Sequence, residues 1–335
     1  MKNVKQTWTA QDIPSQAGRL AVVTGATSGI GFYTAKELAR KRATVIMPAR
    51  NMRKAKEAAE RIQAEVPKAQ LYLAKLDLGE FDSVREFGGH LRQRYGTGSL
   101  DLLVNNAGIM ALPKRTINSQ GLELQIATNY FGPFFLLTAL LFPLMKEEEG
   151  SRIVTVSSTT ARSARLEFDN LQSERRYVPH GGAYAQSKLA DLIFAFELHR
   201  RLSAANSCIA SIAAHPGWAL TDLGRSASWG LRFLMKLTRP LWQSAEAGSL
   251  PLLFAATSPN ARKGGYYGPD GRNEAKGNPT AAFEPVVTKD VTVGRRLWEE
   301  SERVTGMQFV VSAPSIGIHH RHGVGDARQP VSRAE

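Results

Sequence analysis

Tyr184 and Lys188, in the stretch Ala183-Tyr-Ala-Gln-Ser-Lys188, are four residues apart. On a helix that spacing stacks a phenol beside an ammonium on one face. A free phenol has a pKa of about 10. A fixed cation about 5 Å away, at an effective dielectric of about 20, is worth roughly 3 kcal/mol. That would lower the phenol by about two units, into the range useful for acid–base work near neutrality. Such a pair also occurs on ordinary amphipathic helices, so its meaning depends on what the rest of the chain places around it.

Upstream, Leu20-Ala-Val-Val-Thr24 is a short apolar run, as expected of a buried parallel strand. It leads into Gly25-Ala-Thr27-Ser28-Gly29-Ile30-Gly31, and then into Phe32 to Lys41 with helical apolar spacing. Strand, glycine turn and helix point backbone N–H groups and a helix dipole at a phosphate. Gly25 suits the tight turn, Gly29 a close approach to a pyrophosphate, and Gly31 close packing of helix on strand. Asp77, with Leu78 after it, follows the apolar run Gln70 to Lys75 and is placed to accept a hydrogen bond from an adenine amino group. Asn105-Asn106-Ala107-Gly108 follows the apolar run Leu100 to Val104 and offers a small loop beside a cofactor. Asn129 lies within a long apolar helix, where an amide needs partners. Ser157 and Ser158 end the run Arg152 to Val156. Singly these could be loop polar groups, a turn, a satisfied core amide or a helix cap; their joint order points to a dinucleotide site.

With these residues in place the chain resembles the short-chain dehydrogenases/reductases, and among them the retinol dehydrogenase-like branch, over about residues 17 to 305. The resemblance is carried by Thr24-Gly-Ala-Thr-Ser-Gly-Ile-Gly31, Asn105-Asn-Ala-Gly108, Tyr184 with Lys188, Asn170-Leu-Gln-Ser-Glu-Arg-Arg-Tyr177 and His215-Pro-Gly217. It implies a catalytic group of Asn129, Ser158, Tyr184 and Lys188. Tyr184 would move the proton, Lys188 would hold the nicotinamide ribose, Ser158 would bind the substrate oxygen, and Asn129 would hold a water leading from Lys188 to solvent. Ser158 is preferred because relatives with the inserted Asn170 segment use the second serine; Ser157 stays open. Pro216 and Gly217 would bracket the nicotinamide, with Thr221 at its carboxamide.

Cofactor preference is read at the end of the second strand. An acidic residue there would hold both ribose hydroxyls of NAD. This chain has Ala49, Arg50 and Asn51, with Arg53 nearby. A guanidinium can take a 2′-phosphate through paired charge-assisted bonds, and no carboxylate is expected there to repel it. NADP(H) is therefore expected, NAD(H) less so.

The elements that position these residues alternate. Strands are expected over 20–24, 44–49, 70–75, 100–105, 152–157, 207–215 and near 265–267. Helices are expected over 32–41, 52–66, 83–95, 122–146 and 182–202. This pattern predicts an α/β fold: a Rossmann-type, doubly wound parallel sheet of about seven strands with helices on both faces and the site at the strands' carboxyl ends. A chain of 335 residues, 43% hydrophobic, can bury one such core. Residues 1–16 are read as an extension and 306–335 as a flexible tail, its His319-His-Arg-His322 included, with no metal site. Cys208, the single cysteine, is read as a buried small hydrophobe within a strand, which suits a reducing, cytoplasmic setting.

No secretory signal is read at the N-terminus, and no apolar stretch at the roughly 18 to 20 residues of a membrane span. The N-terminal membrane anchor of many retinol dehydrogenases is not expected. The net charge of +13 raises nucleic-acid binding, but the basic residues are scattered without an aromatic stripe or recognition helix, so an anionic cofactor is expected instead. Trp229, Leu231, Phe233, Leu234 and Trp242 suggest an apolar lid for a small hydrophobic carbonyl or alcohol substrate, or equally a subunit interface. The resemblance implies a homodimer or homotetramer. An alternative is a cofactor-binding regulatory or scaffold protein without turnover.

Overall fold

The computed structural model describes residues 7–219 and 242–311. Short apolar runs become the strands β1 (Leu20–Val23), β2 (Thr44–Ala49), β3 (Gln70–Lys75), β4 (Leu102–Asn105), β5 (Arg152–Val156) and β6 (Ala210–Ala214). Two more, β7 (Tyr266–Pro269) and β8 (Pro279–Ala281), complete a sheet in the order β3-β2-β1-β4-β5-β6-β7-β8. The first seven are parallel, while β8 pairs antiparallel with β7. The expected all-parallel, seven-stranded sheet is thus corrected by one strand. Gly277 has φ +132°, and Asp270 accepts from Asn278 N within the turn that returns the chain as β8.

The helices are α1 (Gly29–Arg40), α2 (Met52–Glu65), α3 (Phe81–Tyr95), α4 (Leu124–Leu144), α5 (Ala185–Ala204), α6 (Ala245–Thr257) and α7 (Val291–Thr305). Successive strand residues face opposite ways, so Val22, Ile46, Leu103 and Ile153 join one core with α3, α4, α5 and α7. Val23, Val45, Val104 and Val154 join the other with α1, α2 and α6.

Several boundaries depart from the sequence expectations. Residues Ala127–Leu137 of α4 are wound as a π-helix with Pro133 inside it. At Gly132 an added Cβ would lie 1.9 Å from the Leu78 carbonyl, so the helix backbone rests directly on that loop. The chain also contains an apolar segment longer than expected: α4 is 21 residues, enough by length and composition to span a membrane, with 78% of its most apolar stretch buried in the fold. Cys208 precedes β6 and is only half-buried, because β6 begins at Ala210. The described parts of the N-terminal extension and of the tail pack against the fold. Trp8 meets Phe254 edge-on at 5.3 Å and Ile13 is buried, while Phe309 stacks on Trp298 at 4.8 Å.

Candidate active site

Strand order reverses between β1 and β4, and the loops leaving these two strands part at that point. Thr24 ties them together: its Oγ1 accepts from Asn106 N at 2.9 Å and Ala107 N at 3.0 Å, and its carbonyl accepts from Asn106 Nδ2 at 2.9 Å. Gly25 (φ +68°) and Gly29 (φ +57°) hold the left-handed backbone of the turn. A Cβ at Gly25 would come 2.9 Å from Ala107 Cα, and one at Gly31 2.4 Å from the Gly25 carbonyl, so this backbone leaves no room for side chains. Ser28 precedes α1 in an extended conformation and makes no side-chain cap bond, which leaves the first N–H groups of α1 facing outward.

These loops open onto a cavity of about 810 Å³, lined by Gly25, Thr27, Ser28, Gly29, Ile30 and Gly31 on one side. Asn106, Ala107 and Gly108 form its floor, and Ser158, Tyr184, Lys188, Pro216 and Gly217 its far wall. A glycine cradle, a free helix N-terminus and a fixed cation match the phosphates and ribose of a dinucleotide, so the residues present fit the expected cofactor.

Of the remaining predicted residues, Arg50, Asn51, Asp77 and Leu78 stand at the ends of β2 and β3, outside the cavity's lining. Arg50 Nε lies 3.8 Å from Asp77 Oδ2, its side chain 72% exposed. The expectation that no carboxylate stands near this guanidinium is therefore corrected. Asn51 Oδ1 accepts from Lys54 N at 3.1 Å and caps α2. Leu78 is buried beneath Gly132. Thr221 and most of the expected apolar lid lie outside the described residues.

The two serines separate. Ser157 Oγ donates to the Lys188 carbonyl at 2.7 Å and is buried. Ser158 lines the cavity beside Tyr184, close enough to lower the phenol's pKa, and its Oγ accepts from Thr160 N at 3.3 Å. Tyr184 ends a π-turn, Pro179–Tyr184, that feeds into α5. Asn129 Oδ1 accepts from Ile109 N at 2.7 Å, and its Nδ2 donates to the Ile109 carbonyl and to Ser187 Oγ, each at 2.9 Å. Both amide protons are thus committed to bracing the β4 loop against α5.

The acidity expected of Tyr184 is corrected. Burial is the largest influence and raises its pKa; Lys188 and Ser158 pull it down, and Asp191 pushes it up again. The sequence showed the neighbouring cation but not the desolvation, which depends on how α5 packs.

Other residues here were not anticipated. His180 stacks on the Tyr184 ring at 5.6 Å, and Met110 and Trp218 line the cavity beside Trp242, a residue of the expected lid. Behind Pro216, His215 Nδ1 accepts from Gly217 N at 3.1 Å, so its Nε2 carries the proton donated to Glu274 Oε2 at 2.7 Å. Arg162, also in the cavity wall, pairs with the same carboxylate. Glu274 follows β7 by a few residues, so this part of the wall draws on three separated stretches of chain. Asn170-Leu-Gln-Ser packs against the β4 loop: the Gln172 carbonyl accepts from Arg115 Nε at 2.8 Å, and Tyr177 Oη donates to the Leu112 carbonyl at 2.8 Å. His180 and Asp191 were visible as polar residues beside the Tyr184 motif; their proximity to its ring and cation was not.

Residues 19–230 match the short chain dehydrogenase family. The chain is 38% identical over 300 residues to the polyprenol dehydrogenase of Mus musculus, covering 88% of this chain and 86% of that one. It is 36% identical over 313 residues to retinol dehydrogenase 13 of Homo sapiens, covering 90% and 89%. A solved structure of an uncharacterised Mycobacterium paratuberculosis protein is similar with a TM-score of 0.75 and 37% identity, over 91% of this chain and all (100%) of that one. A short chain dehydrogenase from Burkholderia cenocepacia J2315, solved in complex with NADP, shares the fold at a TM-score of 0.57 and 23% identity, over 75% of this chain and 96% of that one.

Proposed function

Since this chain belongs to the short-chain dehydrogenase family, within its retinol dehydrogenase-like branch, we propose that it is an NADP(H)-dependent oxidoreductase interconverting an apolar alcohol and its aldehyde or ketone. The observation that carries the reading is the meeting of the Ser158 and Tyr184 hydroxyls in one cavity with Lys188 and the glycine cradle. The bound nicotinamide would supply or accept the hydride.

In the reducing direction Tyr184 gives its proton to the carbonyl oxygen, and takes it back from the alcohol in the reverse. Burial keeps the phenol protonated at neutral pH, which suits the donating role. Ser158 donates a hydrogen bond to the same oxygen as charge develops. Lys188 holds the ribose hydroxyls from the far wall of the cavity. Asn129 keeps the β4 loop and α5 in register, so that these groups converge; a water leading from Lys188 to solvent remains part of the proposal.

Arg50 supports NADP(H). Its guanidinium is exposed and only loosely paired to Asp77, so a 2′-phosphate could displace that contact with a bidentate one. Met110, Trp218 and Trp242 support an apolar substrate, as do the relatives named for polyprenol and retinol, both alcohols on long apolar skeletons. Retinoid-like, steroid-like and simpler apolar carbonyls fall within the proposed class. Assembly as a homodimer or homotetramer, supported by family resemblance alone, belongs to the same proposal, as does a cytoplasmic setting, supported by the single cysteine of the sequence.

The test is a panel of apolar aldehydes and ketones, retinal and a polyprenal included, followed by NADPH absorbance. Turnover with at least one compound, reduced about a thousandfold by Tyr184→Phe with NADPH affinity retained, is expected. NADPH binding with no turnover anywhere would instead favour a regulatory or scaffold role.

A further inference from the structure

Asp191 lies three residues beyond Lys188 on α5 and is 0% exposed. Its Oδ2 accepts from Lys188 Nζ at 2.7 Å, while its equally buried Oδ1 has no hydrogen-bond partner. Nothing proposed above uses this carboxylate. Buried ion pairs are poor sources of stability, and an unfilled carboxylate oxygen adds to the cost. Lys188 Nζ also donates to the Val156 carbonyl at 2.9 Å. An ammonium has three N–H donors, so two are engaged by protein oxygens and one is left for a ligand.

We propose that Asp191 is a positioning residue of this site: it draws Lys188 back onto the Val156 carbonyl and offsets its charge, holding Tyr184 in its proton-bearing form. The inference rests on the reading of Tyr184 as the acid and base. Asp191 exchanges no proton in the step itself. The proton leaves Tyr184 Oη for the substrate oxygen, and the hydride's electron pair ends on the carbonyl carbon.

The surrounding groups are consistent with this electrical arrangement. Lys188 lowers and Asp191 raises the Tyr184 pKa, after the larger rise from burial. From α4, Tyr130 faces Asp191; its phenol is raised by burial first, and further by Asp191 and by Glu300 of α7. His180 stacks on Tyr184 from the π-turn, and Arg162 faces the cavity from the turn after β5, paired to Glu274. Glu197, Arg200 and Arg201 pair among themselves toward the C-terminal end of α5. Asp191 itself is pushed up to about 8 by burial, which Lys188 partly offsets, so it carries its charge over the more alkaline range in which a raised Tyr184 titrates.

Asp191→Asn preserves shape and removes the charge. The acid limb of the pH profile of kcat for alcohol oxidation should then move down by about one pH unit. Tyrosinate absorbance of the cofactor-free protein, taken as the difference from a Tyr184→Phe partner in the same background, should move the same way. If Asp191→Asn does not fold, Asp191→Ser removes the same charge with a smaller side chain. An unmoved midpoint in a folded, uncharged variant overturns the proposal, whether or not kcat changes. If the wild type turns over no substrate, the oxidoreductase reading fails, and the absorbance titration still decides the role of Asp191.

Discussion

Arg50 and Asp77 face one another across the ends of adjacent strands, and their contact is too long and too exposed to hold the guanidinium in place. Arg50→Gln should therefore leave the fold intact while weakening NADPH about 10- to 100-fold, the worth of a charge-assisted bidentate contact, with NADH changed little. Titration with both nucleotides checks this, and equal losses for the two would argue against a 2′-phosphate contact. Ser158→Ala should lower kcat about 100-fold or more with a smaller change in KM, because the contact strengthens as charge develops on the substrate oxygen. At this scale the sequence was most readable where a residue's type dictates its use, as with the turn glycines and the Tyr184–Lys188 pair. It was least readable where burial decides. The raised pKa of Tyr184 does not follow from spacing, and spacing offers the Lys188–Asp191 pair but not its burial, since both depend on α4 and β5 closing over α5.

Strands β2 and β3 begin and end where the sequence predicts, because apolar runs bounded by turns leave little choice. Helix α4 was expected as one regular helix, and its π-wound stretch was not read from Gly132 and Pro133. Proline removes a backbone donor, and the glycine admits the Leu78 carbonyl. Gly132→Ala places a methyl against backbone that cannot swing aside, so it should destabilise the protein by about 1–3 kcal/mol or more, read as a lowered midpoint in urea. A neutral effect would mean that the helix can slide off the loop. Helix α6, buried on most of its surface, and the mostly exposed three-residue β8 had no periodic signal by which to be found.

Across the molecule, both faces of the sheet are covered, and several phenols lie in or beside the core. Tyr130, Tyr184 and Tyr266 are raised above their ordinary pKa chiefly by burial, as is Tyr177, pushed up to about 12. A raised acid stabilises the folded state fully below its unfolded value of about 10, and that contribution fades as pH climbs through the folded value. Thermal stability should thus be level from pH 8 to about 10 on account of these groups and fall steeply above it. Scanning melts at successive alkaline pH values measure this, and a Tm that does not fall above pH 10 would contradict the burial of these hydroxyls.

The sheet's last strand has a bearing on how copies of the chain could meet. It is three residues long and begins with Pro279, which has no N–H to offer. An incoming strand would find almost no unsatisfied main chain along that border to zip onto. Partners approaching from that side must therefore be recognised by side chains, and a continuous sheet running from one subunit into the next through β8 is disfavoured.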